Sequence, residues 1–482
     1  MKILHYALGF PPYRSGGLTK YCIDLLLAQK EAGHDVAMMW PGAFSFSGHF
    51  VRLKKGKKLV KDNGNKFLID SFEIINPLPV PLDEGIVDVK QFTKKCPDSK
   101  PYEKFLKMYC PDAIHIHTLM GLHREFVVIA KKLGIKIVFT THDYFGICPK
   151  VTLFRNEHIC DGDCRKCGRC NESALSMKKI RILQSGFYRN VKDMSLVKKM
   201  RAAHRNEFFN NDSGRKMQSI HINMKNEEED LSEFSEAQNI NQLLGKELLE
   251  EQTKRYERLR NYYLNILKMV DYIHFNSTVT ESVYRKFLPD SVQGSVISIT
   301  HRNIVDYRRI KRFNNEKLRI TYLAPAKNFK GYSIMKQALD ELWIEGKRSF
   351  HLTMYNEADL SVPYITVNPH FEYKELGMIF EETDVLIMPS VWNETFGFTV
   401  LEALSYGVPV IVSKNVGAKD LLEDGRFGMI VEPTVEGVKQ GILRIMENKD
   451  LLIGYNKRIV EEMDLSKTIM SAKQIEKLYL EK

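Results

Sequence analysis

The chain has 482 residues, of which 44 % are hydrophobic and 27 % charged, and its formal net charge is +11. This length predicts two or three domains, and the composition is that of an ordinary globular protein. The longest apolar runs have the length of strands, which excludes a transmembrane helix on sequence grounds. Residues 1–10 are too short and too poorly flanked for a signal peptide, so we expect a cytoplasmic protein.

The N-terminal residues predict a strand–loop–helix–strand unit. Residues 2–8 and 34–39 are strand-like, and residues 19–32 have helical periodicity. Gly16 and Gly17 lie in the loop before this helix. Such a loop is typical of nucleotide-binding folds, but a diglycine also makes a simple tight turn.

Two further strand-like runs end in polar residues. The run 111–117 places His115 and His117 on the same side of a strand. The buried-looking run 137–141 is followed by three residues with chemistry-bearing side chains, His142, Asp143 and Tyr144. For each histidine, a structural role in the sheet is the alternative to a role in catalysis or binding.

The cysteines are clustered. Of eight, five fall between residues 148 and 170, and the last four have the spacing Cys-x3-Cys-x2-Cys-x2-Cys. Four thiolates at such spacing predict a tetrahedral structural zinc site in a cytosolic chain, whereas an iron–sulfur cluster and free thiols or disulfides remain alternatives. The predicted ligands are Cys160, Cys164, Cys167 and Cys170, with Cys148 as an alternative.

Residues 171–265 look like a helical insertion. Within it, residues 176–205 are strongly basic, with apolar residues at helical spacing and a break near Gly186. This pattern predicts a basic amphipathic helix or helix pair that docks on an anionic membrane surface, and a peripheral location at the inner membrane face. A solvated face over a local core is the alternative. The basic run 52–58 supports docking, and no recognition motif indicates nucleic-acid binding.

The most informative stretch contains Glu394 and Glu402. A buried strand, 385–388, precedes a loop, and a helix then runs from Gly397 to a glycine before the next strand. The loop of this βαβ unit lies at the carboxyl end of a strand, where open α/β sheets bind ligands. Helix-start amides can hold a diphosphate, and carboxylates can bind sugar or ribose hydroxyls. Two solvated glutamates in an ordinary Rossmann-type unit are the alternative.

The string from Glu394-x-Phe396-Gly397 through Glu402-Ala403 to Gly407-Val408-Pro409-Val410 resembles the signature of retaining glycosyltransferases of family 4, also called group 1. The segments 381–390 and 417–433 look similar to the flanks of that signature. The resemblance implies an α/β protein of GT-B architecture, with two Rossmann-like lobes of parallel sheets facing a cleft.

The resemblance also assigns roles by position. Glu394, Lys330 and His117 would act in catalysis near the donor sugar, and His142, Asp143 and Tyr144 would lie on the acceptor side. The implied donor-binding residues are Gly16, Gly17, Lys327, Phe396, Gly397, Phe398, Thr399 and Glu402. The predicted first domain is an acceptor-side lobe at residues 1–300, with a cysteine-rich loop at 148–170 and a helical insertion at 171–265. A linker at 301–316 leads to a nucleotide-sugar lobe at 317–465, and a C-terminal helix follows at 466–482.

The chain departs from the family pattern at two places. The usual glycine–arginine pair after the first strand of the second lobe falls on Ala324 and Pro325, and Lys327 would have to substitute without the bidentate geometry of a guanidinium. Tyr355 and Asn356 stand where the family usually has glycine. Both departures bear on donor affinity.

The implied reaction moves a sugar, with retained configuration, from a UDP- or GDP-sugar to a hydroxyl of a lipid-linked glycan in cell-surface polysaccharide synthesis. It would need no catalytic metal, because a lysine and helix amides neutralise the diphosphate. One alternative is a catalytically weakened GT-B subunit that scaffolds another glycosyltransferase. Another is a GT-B enzyme of a different reaction, such as a sugar-nucleotide epimerase.

Overall fold

A computed structural model describes the chain except for residues 12–13, 15, 46–47, 63, 82–84, 156, 192–233, 356–361, 468–471 and 481–482. Much of the predicted basic segment 176–205 and Asn356 therefore lie outside the described residues. Among the helices of the described ranges, none combines the length and apolar character needed to cross a bilayer.

The first lobe is built on an eight-stranded sheet with the order β10-β9-β6-β5-β1-β2-β4-β3. Its strands are Lys2–Tyr6 (β1), Asp35–Pro41 (β2), Arg52–Asp62 (β3), Asn65–Ile75 (β4), Ala113–Ile116 (β5), Lys136–Thr140 (β6), Tyr272–Phe275 (β9) and Gly294–Val296 (β10), and a separate two-stranded ribbon contains Phe154–Arg155 (β7) and His158–Ile159 (β8). The sheet is parallel except at one edge.

That edge is the one antiparallel part of the described sheet, which is otherwise parallel, as the GT-B prediction expects. Strand β3 pairs antiparallel with β4 over eleven residues of each strand, and it contains the basic run 52–58. Charged side chains and an exposed position are typical of an edge strand, because they discourage pairing with another chain. The run that we interpreted as support for membrane docking is therefore a strand of the sheet.

The central strands are buried on both faces. Ile3 belongs to one apolar core and the next residue, Leu4, to another, because successive side chains of a strand point to opposite faces. Parallel strands covered by helices on both sides are continuous apolar runs, which is why the sequence pattern predicts them well.

The second lobe is a six-stranded, wholly parallel sheet with the order β13-β12-β11-β14-β15-β16. Its strands are Leu318–Tyr322 (β11), Phe350–Tyr355 (β12), Ile365–Asn368 (β13), Val385–Met388 (β14), Val410–Ser413 (β15) and Met429–Val431 (β16). The order reverses at β11 and β14, so the loops after these strands border a crevice suited to ligands.

The helices flank the two sheets. In chain order they are Gly17–Glu31 (α1), Val89–Phe92 (α2), Lys100–Tyr109 (α3), Arg124–Lys132 (α4), Cys167–Cys170 (α5), Met177–Leu183 (α6), Gly186–Val191 (α7), Phe234–Leu267 (α8), Thr278–Arg285 (α9), Tyr332–Ile344 (α10), Leu376–Glu381 (α11), Phe398–Ser405 (α12), Val435–Glu447 (α13), Asp450–Glu461 (α14) and Ala472–Leu480 (α15). The predicted break near Gly186 corresponds to the turn between α6 and α7.

The C-terminal helix α15 returns to the first lobe. The Tyr479 hydroxyl hydrogen-bonds Gln29 and His115, and Glu476 pairs with His34 at 2.8 Å. One apolar core contains residues of both lobes, including Leu25 of α1 and Val400 of α12. Continuous apolar burial and the returning helix therefore join the lobes.

Candidate functional site

The loop between β14 and α12 is shaped by Gly397. This residue has φ +104°, and a Cβ at this position would lie 3.0 Å from Met388 and 3.2 Å from Val416. Only glycine meets both demands, because other residues rarely adopt positive φ and have no space here. The turn opens α12 at Phe398, so the first amides of the helix face the crevice at the end of β14.

The cluster of Lys330, Glu394 and Trp392 occupies this crevice. The Lys330 ammonium pairs with the Glu394 carboxylate, and the Trp392 indole N–H donates to the same carboxylate at 2.9 Å. The ammonium also lies 5.0 Å from the Trp392 ring centre. Glu394 is only 9 % exposed, so the pair lies in a partly dehydrated site where charges interact strongly.

Contacts between the loops that follow two different strands bring Lys330 to Glu394. Gly331, with φ +81°, packs so closely on Pro389 that a Cβ would lie 2.0 Å from the Pro389 oxygen. The backbone N–H groups of Val391 and Trp392 donate to the Phe329 oxygen at 3.0 and 3.2 Å. Lys330 therefore reaches Glu394 because the loop after β11 is held against the loop after β14.

The departure at Ala324 and Pro325 leaves a compact turn. The Pro325 oxygen accepts from the Tyr322 hydroxyl at 2.9 Å and from the Lys327 N–H at 2.7 Å. The ammonium groups of Lys327 and Lys330 each lie 5.7 Å from the Phe329 ring centre. The structure thus brings two lysines to one aromatic ring on the loop where the family pattern has an arginine and a lysine.

Glu402 is paired with a residue that the sequence analysis did not select. Nε2 of His301, in the segment joining the lobes, lies 3.1 Å from the Glu402 carboxylate, and its ring lies against that of Phe398 at 5.1 Å. His301 Nδ1 is buried without a hydrogen-bond partner among the described residues. In the neutral ring, Nε2 donates to the carboxylate and Nδ1 is then an acceptor beside Glu402. A histidine in a polar linker gave no sequence signal of this role.

The remaining predicted donor-binding residues differ in their accessibility. Gly17 abuts the Phe398 ring, with a Cβ position 3.2 Å from it, and Gly16 supplies the positive φ that starts α1. Thr399 directs its hydroxyl to Met388 Sδ at 3.6 Å. Phe396 is 2 % exposed in the apolar core, so its side chain packs rather than faces a ligand.

The predicted acceptor-side residues contact the donor-side loop across the lobes. The Tyr144 hydroxyl donates to the Asn393 oxygen at 3.0 Å, and the His142 oxygen accepts from the Thr395 hydroxyl at 3.1 Å. Burial raises the pKa of Asp143 to about 7, against an opposing effect of a hydrogen bond from the peptide N–H two residues on. The lobes are thus in a closed arrangement, with a carboxyl group that titrates near neutral pH beside their contact.

A row of buried histidines crosses the first sheet, and their proton positions follow from their partners. The Ile297 oxygen can only accept, so His274 Nε2 donates to it at 2.7 Å. Burial lowers the pKa of His274 to about 4, which keeps it neutral, so its Nδ1 accepts from the Thr140 hydroxyl at 2.9 Å. Thr140 then accepts from His115 Nε2 at 2.6 Å, and His115 Nδ1 accepts from Tyr479 at 2.7 Å.

The chain of hydrogen bonds continues from Tyr479 toward the cleft, and each group again donates to the one before it. The Tyr479 oxygen accepts from Gln29 Nε2 at 3.1 Å, and Gln29 Oε1 accepts from His5 Nε2 at 2.7 Å. His5 Nδ1 accepts from His117 Nε2 at 3.0 Å, and His117 Nδ1 accepts from His142 Nε2 at 3.2 Å. Burial lowers the pKa of each of these histidines, to about 4 for His5 and about 3 for His142, which matches one proton per ring.

We call this chain of groups, from Ile297 to His142, the histidine relay. Both ring nitrogens of His117 are occupied within it, whereas Nδ1 of the half-buried His142 is its unpaired end within the described part of the chain. His117, the residue predicted to act in catalysis, therefore has no free ring nitrogen, whereas His142 has one, and its backbone oxygen accepts from Thr395 in the loop that contains Glu394. The relay also includes Tyr479 of the C-terminal helix, which hydrogen-bonds His115 and Gln29.

Tyr479→Phe tests the relay. The change leaves His115 Nδ1 and the Gln29 amide without partners in a buried site, and we expect it to lower the free energy of unfolding by about 1–3 kcal/mol. Urea denaturation followed by circular dichroism measures this loss. Tyr455→Phe is the matched control, because Tyr455 is 8 % exposed and its hydroxyl makes no hydrogen bond to the described residues. Equal losses in the two variants would contradict the relay.

Two of the four predicted zinc ligands line one small cavity, whereas Cys160 and Cys170 are half-buried outside its lining. Cys164 and Cys167 are 5 % and 7 % exposed and line it together with Cys148 and Arg260. The Cys164 and Cys167 thiols hydrogen-bond each other, which contributes most to lowering the pKa of Cys164. Within the ranges that the structure describes, no three of the clustered thiols come within 4.8 Å of one another. The cysteines are therefore neighbours, but they are not arranged as a closed ligand set.

Comparison with known proteins gives a partial family match. Residues 364–462 match the family described as "Glycosyl transferases group 1". An uncharacterized 41.2 kDa protein in the cps region of Klebsiella pneumoniae is 32 % identical over 132 residues, covering 26 % of this chain and 36 % of that protein. A D-inositol 3-phosphate glycosyltransferase of Paenarthrobacter aurescens is 33 % identical over 89 residues, covering 18 % and 22 %. The matched part thus spans about a third or less of these relatives.

Solved structures are similar over nearly the whole chain. Sucrose-phosphate synthase of Thermosynechococcus elongatus has a TM-score of 0.53 at 13 % identity, covering 99 % of this chain and 98 % of that one. The Anabaena protein HepE, in complex with UDP-glucose, has a TM-score of 0.50 at 11 % identity, with the same coverage. At these identities the likeness shows the fold alone. The predicted GT-B architecture is confirmed.

Proposed function

We propose that this chain is a GT-B glycosyltransferase that transfers a sugar from a nucleotide diphosphate sugar to a hydroxyl group, with retention of configuration. The observation that carries the proposal is the Lys330–Glu394–Trp392 cluster beside the start of α12. Glu394 and α12 lie within the segment that matches the glycosyltransferase family. The cluster combines a cation, a hydrogen-bond acceptor and an aromatic surface, which together suit a sugar linked to a diphosphate.

The proposed chemistry is electrostatic. Lys330 and the amides at Gly397 and Phe398 stabilise the negative charge that develops on the departing diphosphate. These groups take the place of a catalytic metal. Glu394 accepts hydrogen bonds from the donor sugar, and Glu402 with His301 binds the ribose, to which His301 Nδ1 offers a further acceptor. UDP and GDP sugars are the proposed donors, and a UDP-glucose complex of one structural neighbour supports the first.

The proposed acceptor is a lipid-linked glycan in cell-surface polysaccharide assembly. A relative from a cps region supports this assignment, although only 36 % of that protein is covered. Closure of the lobes through Tyr144, Thr395 and the His142 backbone excludes water and aligns the acceptor hydroxyl. A weakened scaffold subunit is the second candidate, motivated by Pro325 in place of an arginine. Binding of the donor without turnover would favour it.

Glu394→Gln tests the donor site. The amide cannot pair with Lys330 and offers the sugar hydroxyls a weaker acceptor, so we expect sugar transfer to fall by about a hundredfold or more. The measurement is release of UDP or GDP in the presence of acceptor, after a thermal-shift screen with both classes of sugar nucleotide has identified the donor. Glu382→Gln, at an exposed position outside the crevice, is the control. Unchanged turnover in Glu394→Gln with a folded protein would refute the assignment.

We also propose that α6 and α7 dock on an anionic membrane. On α6, Ile180 is buried while Lys178, Lys179 and Arg181 are exposed, and Ile182 is 60 % exposed. Phe187 of α7 is 69 % exposed. Exposed apolar residues beside cations are the combination that binds the interface of an anionic bilayer.

Replacement of Lys178, Lys179 and Arg181 by glutamine should weaken docking. Each cation near such a surface contributes about 1 kcal/mol, so we expect a loss of roughly a hundredfold in affinity for vesicles containing phosphatidylglycerol. Vesicle co-sedimentation measures it. The control carries the same charge change at exposed positions of the second lobe and the C-terminal helix, namely Lys374, Lys457 and Lys473. Docking that persists in the first variant would refute the proposal.

A structural zinc held by the clustered cysteines is a further proposal. Its support is the spacing of the cysteines and the convergence of Cys148, Cys164 and Cys167 on one cavity. Since thiolates at about 2.3 Å from zinc lie closer together than the thiols do here, the loop has to adjust to bind the ion.

Metal analysis of protein purified under reducing conditions is expected to find about one zinc per chain. Cys164→Ser should lose this zinc and lower the melting temperature, because a structural zinc contributes directly to folding. Cys110→Ser, which changes an exposed thiol outside the cluster, should retain it. A folded protein without metal would remove the claim.

A further inference from the structure

We infer that the first lobe contains a binding pocket for an anionic glycan, which would be the acceptor of the proposed transfer. The inference rests on the proposed function for the identity of its ligand as acceptor. The pocket has a volume of about 510 Å³ and lies between the ends of β1 and β2, the β3–β4 hairpin and helices α6 and α7. It is separate from the Lys330–Glu394 cluster, which belongs to the second lobe.

Lysines stand over the floor of the pocket. Lys54 pairs with Glu73 and Gly56 pairs with Ser71 across the antiparallel strands, so these residues share one face of the sheet. Lys58, two residues beyond Gly56, lies on the same face. Because Gly56 has no side chain, the space between the two lysines stays open above Ser71.

The acidic residue of the pocket is neutralised internally. Glu73 accepts from Arg189 at 2.6 Å and from the Ala43 N–H at 3.2 Å. Gly42 makes this position possible, since a Cβ there would lie 2.2 Å from the Glu73 side chain. Within the described ranges, neither Lys54 nor Lys58 has a carboxylate within 4.0 Å. The pocket therefore carries an excess of positive charge that Glu73 does not cancel.

Aromatic residues also line the pocket, and Trp40, which is 9 % exposed, lies beside Glu73 on the neighbouring strand. Trp40, at the end of β2, packs edge-to-face on Phe10 at 5.4 Å, and the aliphatic part of Arg14 lies beside the same tryptophan around Gly9. Tyr188 of α7 also lines the pocket. An apolar ring surface beside cations suits a sugar that bears a phosphate or carboxylate, because the ring covers the apolar face of the sugar and the lysines bind the charge.

The position of the pocket connects it to the proposed reaction. Gly9 and Arg14 line it, and Gly17, the first residue of α1 after the same loop, abuts the Phe398 ring. A glycan held in the pocket therefore lies on the first lobe beside the loop that meets the donor-binding helix. The negative charge of such a glycan has two chemical sources, which are carboxylates on its sugars and a diphosphate at its lipid linkage.

Calorimetry with two pairs of probes tests the pocket. UDP and GDP are both present at saturating concentration, so that the donor site does not take up the anions. The first pair is decyl-diphosphate-linked N-acetylglucosamine and uncharged decyl glucoside. The second pair is trigalacturonate and uncharged maltotriose. We expect at least one anionic probe to bind about tenfold or more tightly than its neutral counterpart. The pair that shows the difference identifies the source of the charge.

The variant Lys54→Gln/Lys58→Gln should lose that preference, with a fall in affinity of about tenfold or more. Lys61→Gln/Lys66→Gln makes the same charge change on the same hairpin outside the pocket and should keep it. Equal binding of charged and neutral probes, or equal losses in the two variants, would overturn the inference. Binding of UDP and of GDP is measured on each protein. Absence of both in the wild type would count against the proposed donor site, whereas the probe measurements test the pocket.

Discussion

The ion pair of Lys330 with Glu394 is the interaction on which the candidate site depends. Its two residues come from loops after neighbouring strands, and glycines make the approach of these loops possible. Gly331 allows contact with the Pro389 backbone, and Gly397 turns the chain into α12 where a side chain has no space. The pair, the indole of Trp392 and the first amides of the helix therefore occupy one crevice as a result of backbone geometry.

The closed arrangement of the lobes uses the same loop. Asn393 and Thr395, on either side of Glu394, hydrogen-bond Tyr144 and the His142 backbone of the first lobe, and the Thr395 oxygen also accepts from Ser277 at 2.7 Å. A change in lobe position would therefore move the flanks of Glu394. This couples the position of the lobes to the geometry of the candidate site, because one loop takes part in both.

The first lobe contributes two further features, the histidine relay and a pocket. The histidine relay connects the C-terminal helix to His142, so the end of the chain supports the side of the cleft opposite Glu394. The basic edge hairpin borders a pocket beside the glycine loop. Both features belong to the side of the first lobe, whereas the family match lies in the second.

The sequence by itself determined the two-lobed α/β fold and the local shape of the β14–α12 loop. Buried parallel strands such as Val385–Met388 are continuous apolar runs, and Gly407, with φ +75°, follows the end of the helix where the pattern predicts it. These features are local, because they depend on hydrophobic runs and on conformations that only glycine adopts readily. The edge strand β3 escaped prediction since lysines occupy both of its faces and no apolar alternation is left.

Tertiary structure alone decided which distant residues meet. Lys330 and Glu394 are 64 positions apart, His301 and Glu402 are 101 apart, and His115 and Tyr479 are 364 apart. No periodicity connects such positions, because their contact depends on strand order and on the return of the last helix to the first sheet. The same reason explains why His142, rather than His117, presents an unpaired nitrogen: the partners of both rings are fixed by neighbouring strands that the sequence pattern does not order.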